Sequence, residues 1–411
     1  MSRPALQHAP MEQFTIKENC LCVGDIKVSE LAEQLGSTPF YAYDRSVMTR
    51  QVNRLRKLLP EQIHLHYAMK ANPMPDVVNY MATLVDGLDI ASKGELTVAL
   101  ASGTPVKDIS FAGPGKTDDE LEAAVKAGIT INVESENELA RINQIANRIG
   151  KKPDVAIRVN PDFELKTSGM KMGGGPKQFG IDAERVPKML KNIGKLEVNF
   201  RGFHIFSGSQ NLRPEAIIEA HDKTFELAIR LAADAPNEID LLNIGGGLGI
   251  PYFPGEQRLD MQPIVDNLNR LMPAVTKALP QAELVMELGR YLVGEAGVYI
   301  CKIIDKKVSR GHTFLITDGG LHHHLSASGN FGQIIRKNYP VAIPNRMNQK
   351  PTELVSVVGP LCTPLDLIAD KMELPKAEVG DLVVVFQSGA YGYTASPLGF
   401  LSHPKPKEIL V

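Results

Sequence analysis

The 411-residue chain carries 45 lysines and arginines against 47 aspartates and glutamates, a formal net charge of −2, with 43% hydrophobic and 22% charged residues. This is the composition of a globular protein long enough for two domains, and it offers no basic field for nucleic acid or an anionic membrane. Four cysteines, Cys20, Cys22, Cys301 and Cys362, are too few for a disulfide framework, and Cys20 and Cys22 lack the spacing of a zinc site.

The opening MSRPALQHAPMEQF has no apolar signal-peptide core. No apolar run reaches the roughly twenty residues that span a bilayer, so a cytoplasmic protein is expected. FTIKENCLCVGDIKVSELAEQLG (14–36) reads as a hairpin followed by a helix. Then a rhythm sets in. Short apolar strand candidates recur at 64–70, 87–92, 108–113, 130–135, 154–161, 200–209, 240–247 and 283–290, and the stretches between them have helical spacing. In TDDELEAAVKAG, Leu121, Ala124 and Val125 share a face, Thr117 can cap the start and Gly128 can close the end.

Strands alternating with helices imply parallel pairing. Eight units fit a (β/α)8 barrel, with an open doubly wound sheet as the alternative. The barrel is preferred because polar or glycine residues close nearly every strand: Lys70, Asp89, Arg158, His204, Gly245, Gly246, Gly247 and Glu287. A sheet with a single crevice does not need that. After Arg290 the pattern turns β-rich without helices of any length, so an antiparallel β domain is expected, completed by the N-terminal strands. The expected division is 1–38 (strands joining the β domain), 39–285 (barrel) and 286–411 (β domain).

SFAGPGKT (110–117) resembles a P-loop, but Ser110 stands where the motif needs glycine, and nucleotide hydrolysis is set aside. NIGGGLGIP (243–251) fails the dinucleotide fingerprint at Ile250. Three glycines after a strand still bring bare N–H groups close to something, most simply an anion; a tight turn is the alternative, but three in a row at a barrel's active end favour phosphate binding. VMELGRY sets Glu287 and Arg290 at the end of the last strand, as a site pair or a local ion pair. His204 is a catalyst or a satisfied core histidine. In DGGLHHH (318–324), neighbouring side chains on an extended segment diverge, so His322, His323 and His324 are not expected to hold a metal. Together these groups suit pyridoxal phosphate. It needs a lysine for its Schiff base (Lys70), an anion cradle (Gly245 to Gly247 with Arg290), an acid for its ring nitrogen (Glu287) and a flat group against its ring (His204).

YAMKANP, GLDIASKGEL, GFHIFSGSQN, NIGGGLGIPYF, ELGRYLV, GPLCTPLD and SGAYGY follow one another within the stretch from about residue 39 to the C-terminus. In that order they resemble the fold-type III pyridoxal-phosphate decarboxylases, the ornithine, diaminopimelate and arginine decarboxylase superfamily. FELKTSGMKMGGGPKQFG (163–180) and DGGLHHH are similar to the decarboxylases associated with exosortase and exopolysaccharide gene clusters. They are also similar to one acting on an amino acid held on an acyl carrier protein.

The resemblance implies an alanine-racemase-like barrel with a β domain, in a head-to-tail homodimer with shared active sites. It implies that Lys70 is the Schiff-base lysine, that His204 stacks on the ring and that Glu287 keeps the ring nitrogen protonated. Ser207, Gly246, Gly247, Arg290 and Tyr391 would bind the phosphate, with Asp89 and Arg158 around the cofactor. Cys362, reaching in from the partner subunit, would protonate the carbanion. Alanine racemases of this architecture place an arginine at the ring nitrogen, so Glu287 argues for decarboxylation over racemisation, and the presence of both Lys70 and Cys362 argues against a non-catalytic cofactor-binding protein. Two departures stand out. Thr363 occupies the position at which relatives acting on diamino acids carry an acid for the distal amine. A substrate whose far end is neutral, acidic or carrier-linked is therefore expected, unless Asp318 or Asp366 compensates. Phe206 replaces a glycine of the ornithine type and puts the phosphate role of Ser207 in question.

Overall fold

A computed structural model describes residues 6–165, 170–171 and 173–411. Two compact units emerge: residues up to Arg50 with Pro251–Arg258 and Leu292–Val411, and Gln51–Ile250 with Leu259–Tyr291.

The second unit is a closed (β/α)8 barrel. Its strands are β1 (Ile63–Ala68), β2 (Gly87–Ile90), β3 (Ile109–Phe111), β4 (Thr130–Val133), β5 (Asp154–Asn160), β6 (Asn199–Ile205), β7 (Leu241–Gly246) and β8 (Glu283–Leu288). Each pairs in parallel with its neighbours, and the β4–β5 and β8–β1 pairings close the ring. All eight strand candidates are therefore barrel strands, and the open-sheet alternative falls. A two-residue strand, Ile181–Asp182, adds to the end of β5 beside Val159 and Asn160.

The intervening helices start and stop where local chemistry dictates. Thr117 and Glu120 form a reciprocal capping box at helix Asp118–Ala127, which buries Leu121, Ala124 and Val125 and ends on Gly128 at φ 78°. Ser92 and Ser135 cap the following helices by accepting the N–H of Glu95 and Glu138. Lys116, the lysine of the P-loop-like stretch, is buried. It donates to Gly113 O (2.7 Å), Asn132 O (2.9 Å) and Glu138 Oε1 (2.9 Å), fastening the ends of β3 and β4 together.

In the first unit, strand Gly297–Ser309 pairs with Phe40–Tyr43, His312–Thr317 and Leu382–Val385, and the sheet extends through Glu353–Val358 to Leu367–Leu374. Most pairings are antiparallel, as expected. Two are parallel: His312–Thr317 with Glu353–Val358, and Phe40–Tyr43 with Lys407–Leu410. An N-terminal strand does complete this sheet, but it is Phe40–Tyr43, a wholly buried run. Thr15–Lys17, Cys20–Val23 and Ile26–Lys27 instead form a separate antiparallel sheet, with Thr15–Lys17 exposed throughout. Thr15–Lys17 buries no face and pairs only with its neighbour, while Cys20–Val23 is buried throughout.

Candidate active site

The first strand ends at Ala68 rather than on its lysine. Met69–Ala71 form a single 3-10 turn, and Lys70 stands on that turn. The chain after it is held by the Tyr67 hydroxyl donating to Asn72 O (2.8 Å) and by Asn72 Oδ1 accepting the Met74 N–H (3.2 Å). From there Lys70 Nζ lies 3.5 Å from Glu287 Oε1 at the end of β8 and 5.9 Å from the centroid of the Phe206 ring. His204, at the end of β6, places Nε2 3.1 Å from Glu287 Oε2. The approach is close, but neither ring nitrogen of His204 has a well-aligned hydrogen-bond partner among the described residues.

Glu287 is buried, which by itself pushes its carboxyl up. Lys70, then His204, then Arg158 outweigh that burial and hold it well below the usual carboxylate range. The group therefore stays ionised throughout the physiological range. Glu95 shows the opposite balance. Burial raises its pKa against the Ala91 N–H (2.7 Å) and the charge of Lys70.

Gly245, Gly246 and Gly247 follow at the end of β7. A Cβ on Gly246 would meet Glu287 O at 2.0 Å, and Gly247 has φ 82° with Gly208 O 2.4 Å from its Cβ position. No other residue fits either place without moving backbone. A small pocket opens here, bordered by Ser207, Gly208, Asn211, Gly246 and Gly247. Phe206 packs its ring against Gly245 and leaves Ser207 at this pocket, so the phenylalanine does not displace it.

Arg158 donates to Glu134 Oε1 (2.8 Å), and its guanidinium lies 4.9 Å from the Phe179 ring. Glu134 also takes the N–H of Gly113 (2.7 Å) and of Gly180 (2.8 Å). Glu134 is not among the residues expected from the sequence, although it too is a polar residue closing a barrel strand, like Lys70 and Glu287. Asp89 is engaged by His66 and Ser110. Arg290 opens the short helix after β8 and is half-buried.

Cys362, Thr363, Tyr391, Asp318 and Asp366 belong to the first unit. The Cys362 thiol is exposed. Both acids offered as compensation for Thr363 are already engaged. Asp318 takes the Thr38 hydroxyl on one oxygen and the Lys302 N–H on the other (2.8 Å). Asp366 takes the N–H groups of Leu321 (2.6 Å) and Leu361 (2.8 Å), and burial raises its pKa.

The three histidines do not lie on an extended segment. They sit in a turn, which brings the His322 and His323 rings to 3.7 Å. His323 Nε2 faces Pro404 O (2.8 Å) and His324 Nε2 faces Ser388 Oγ (2.9 Å). Among the described residues no three His, Cys, Asp or Glu side chains are grouped to hold a metal ion, and no helix is long and apolar enough to cross a membrane.

Burial lowers all three histidines, to about 3 (His322), about 4 (His323) and about 3 (His324). An unfolded chain takes up these protons below pH 6.5, whereas the folded chain refuses them until far lower. Stability is therefore expected to fall as pH drops from about 6.5 towards 4. Thermal melts across that window check this, and a flat melting temperature would count against it.

Residues 45–294 match the family described as pyridoxal-dependent decarboxylase, pyridoxal binding domain. Over 379 residues the chain is 38% identical to the L-glutamyl-(BtrI acyl-carrier protein) decarboxylase of Niallia circulans, covering 91% of this chain and 88% of that one. It is 30% identical to the 2-[(L-alanin-3-ylcarbamoyl)methyl]-2-hydroxybutanedioate decarboxylase of Staphylococcus aureus, covering 93% and 96%. The crystal structure of diaminopimelate decarboxylase from M. jannaschii in co-complex with L-lysine aligns with a TM-score of 0.88 at 29% identity, over 97% of this chain and 93% of that one.

Proposed function

The chain belongs to the pyridoxal-dependent decarboxylase family, and from that premise we propose that Lys70, Glu287 and His204 form its catalytic centre and that its amino-acid substrate has an acidic or carrier-linked far end. The observation that carries the first part is the buried Glu287 carboxylate, held charged between Lys70 at 3.5 Å and His204 at 3.1 Å.

The residues fit pyridoxal phosphate. The glycines at 246 and 247 leave backbone where a Cβ would collide, and His204 is a buried flat ring without well-aligned hydrogen-bond partners among the described residues. When bound, the cofactor supplies an electron-withdrawing ring that takes up the electron pair freed as the α-carboxylate leaves as CO2. Lys70 would hold its aldehyde. Gly245, Gly246, Gly247 and Ser207 would cradle the phosphate, with Arg290 adding charge and Tyr391 a hydroxyl. Glu287 would accept the ring-nitrogen proton in a hydrogen bond and keep it there. His204 would lie against the ring face, and Asp89 and Arg158 would flank the cofactor. Cys362 would deliver the proton that replaces CO2. A racemase on the same fold is disfavoured, because a carboxylate at the ring nitrogen strengthens the electron sink that decarboxylation needs.

The substrate part rests on Thr363 together with Asp318 and Asp366. Both carboxylates are engaged by protein donors, which leaves neither an evident counter-ion for a distal ammonium. The proposal also comprises a cytoplasmic homodimer with Cys362 serving the partner's site, and an association with exopolysaccharide synthesis. That association draws on FELKTSGMKMGGGPKQFG and DGGLHHH; Lys166 to Gly169 and Met172 of the former lie outside the described residues.

The test is CO2 release by the cofactor-loaded protein on diaminopimelate, lysine, ornithine, arginine, glutamate and carrier-thioesterified amino acids. Turnover of acidic or carrier-bound substrates alone is the expected result; efficient turnover of a free diamino acid would overturn the substrate assignment. In parallel, Thr363→Glu is expected to raise kcat/KM for lysine or ornithine about tenfold, equivalent to about 1.4 kcal/mol. The absence of any gain would argue that Thr363 does not set specificity.

A further inference from the structure

His66 has no role in the site as described, yet the barrel is built around it. It lies on β1 four residues before Lys70, and its register partners are Glu287 on β8 and Gly87 on β2. Gly87 makes room for its ring: a Cβ there would stand 2.4 Å from His66 Nε2. The other ring nitrogen, Nδ1, lies 3.4 Å from Asp89 Oδ1. The same oxygen takes the Ser110 hydroxyl, and Ser110 Oγ in turn takes the Asn132 amide (3.1 Å). Both polar contacts that Asp89 makes among the described residues thus converge on one oxygen.

Its second oxygen, Oδ2, is buried and has no hydrogen-bond partner among the described residues; nor has His66 Nε2. Asp89 and His66 are only 4% and 5% exposed. A bare carboxylate oxygen at that depth is costly unless something is there to meet it. Asp89 is the register partner of Ala68, two residues before Lys70. A closed structural pair would use both oxygens; this one leaves an oxygen unpaired among the described residues, on a side chain in register with the residue before the lysine turn.

On the reading that Lys70 holds pyridoxal phosphate, we propose that His66 is a positioning residue: it holds Asp89 by one oxygen so that the other faces the Lys70 end of the barrel, and it affects the site only through Asp89. The groups around His66 favour its charged form. Burial lowers its pKa, but Asp89 and Asp86 on the β2 side and Glu283 on β8 outweigh that, so its pKa is raised; Glu287 is its register partner on β8. Lys107, Asp108 and Arg201 complete the charged rim of the small polar cavity it borders.

The experiment compares wild type, His66→Leu, Asp89→Asn and the double variant, all loaded with pyridoxal phosphate. The readouts are the pH dependence of the cofactor's visible absorption and of kcat. Losing His66 lets the Asp89 carboxylate swing away from the Lys70 end of the barrel, which weakens its negative field there. The midpoint is therefore expected to fall by about one pH unit, tenfold in proton affinity. Asp89→Asn is expected to move it at least as far, and the double variant to match Asp89→Asn alone. An unmoved midpoint in His66→Leu, or a His66 shift that persists in the Asp89→Asn background, overturns the proposal. Should His66→Leu not fold, His66→Phe takes its place, since its ring fills similar space without a nitrogen facing Asp89; a shift the same way, absent in the Asp89→Asn background, supports the proposal and no shift overturns it. Wild-type protein that fails to take up the cofactor defeats the underlying reading instead, so the two failures are distinguishable.

Discussion

Lys70→Ala is expected to release CO2 roughly 10^4-fold more slowly than wild type, the upper end of what deletion of one chemically engaged group produces. Two things are lost together. The amine is the nucleophile that the lysine turn supplies, and its positive charge is the first of the groups that keep the buried Glu287 ionised. The variant is also expected to lose the absorption band of the covalently held cofactor while still taking up cofactor through the glycine cradle. Near-wild-type CO2 release would overturn the assignment of the whole site. Under the shared-site proposal, mixing Lys70→Ala with Cys362→Ala protein restores activity that neither has alone. If mixing restores nothing, the two residues do not serve one site across subunits.

Glu287→Gln is expected to lower kcat by roughly 10^3-fold, comparable with removing one preorganised electrostatic partner from an active site. The amide keeps the shape of the side chain, so the effect reads charge rather than packing. In wild type the carboxylate stands between Lys70 and His204 and also feels Arg158. With it neutral, those groups face one another without a counter-ion, and the ring nitrogen loses the acceptor that keeps it protonated. The loss should appear in kcat, with cofactor content unchanged. A variant that bound less cofactor but kept wild-type kcat when saturated would show that Glu287 serves binding alone.

The barrel was open to a reader of the sequence because parallel strands buried on both faces leave a continuous apolar run, and the intervening helices carry their own caps. Thr117, Glu120 and Gly128 mark one helix from end to end using contacts at most four residues away. The residues that close the strands were legible for a related reason. A barrel displays its chemistry at one end, so polar groups interrupt otherwise apolar strands there. Lys70, His204, Glu287 and the three glycines are found in this way, and Glu134 could have been.

The sequence by itself thus determined the eight-strand order, the helix limits and the charged groups at the strand ends, since each of these is written in neighbouring residues. What those groups touch was decided only by tertiary structure. Asp366 takes the N–H of Leu321, forty-five residues away, and Asp318 the hydroxyl of Thr38, 280 residues away, so neither was recognisable as engaged. His322 and His323 come together because their segment turns, and Phe40–Tyr43 rather than the preceding hairpin joins the sheet because it alone of these strands pairs with Gly297–Ile300. Local propensity sets where an element begins and ends, whereas the partner of a buried polar atom depends on chain segments that meet only in the folded protein.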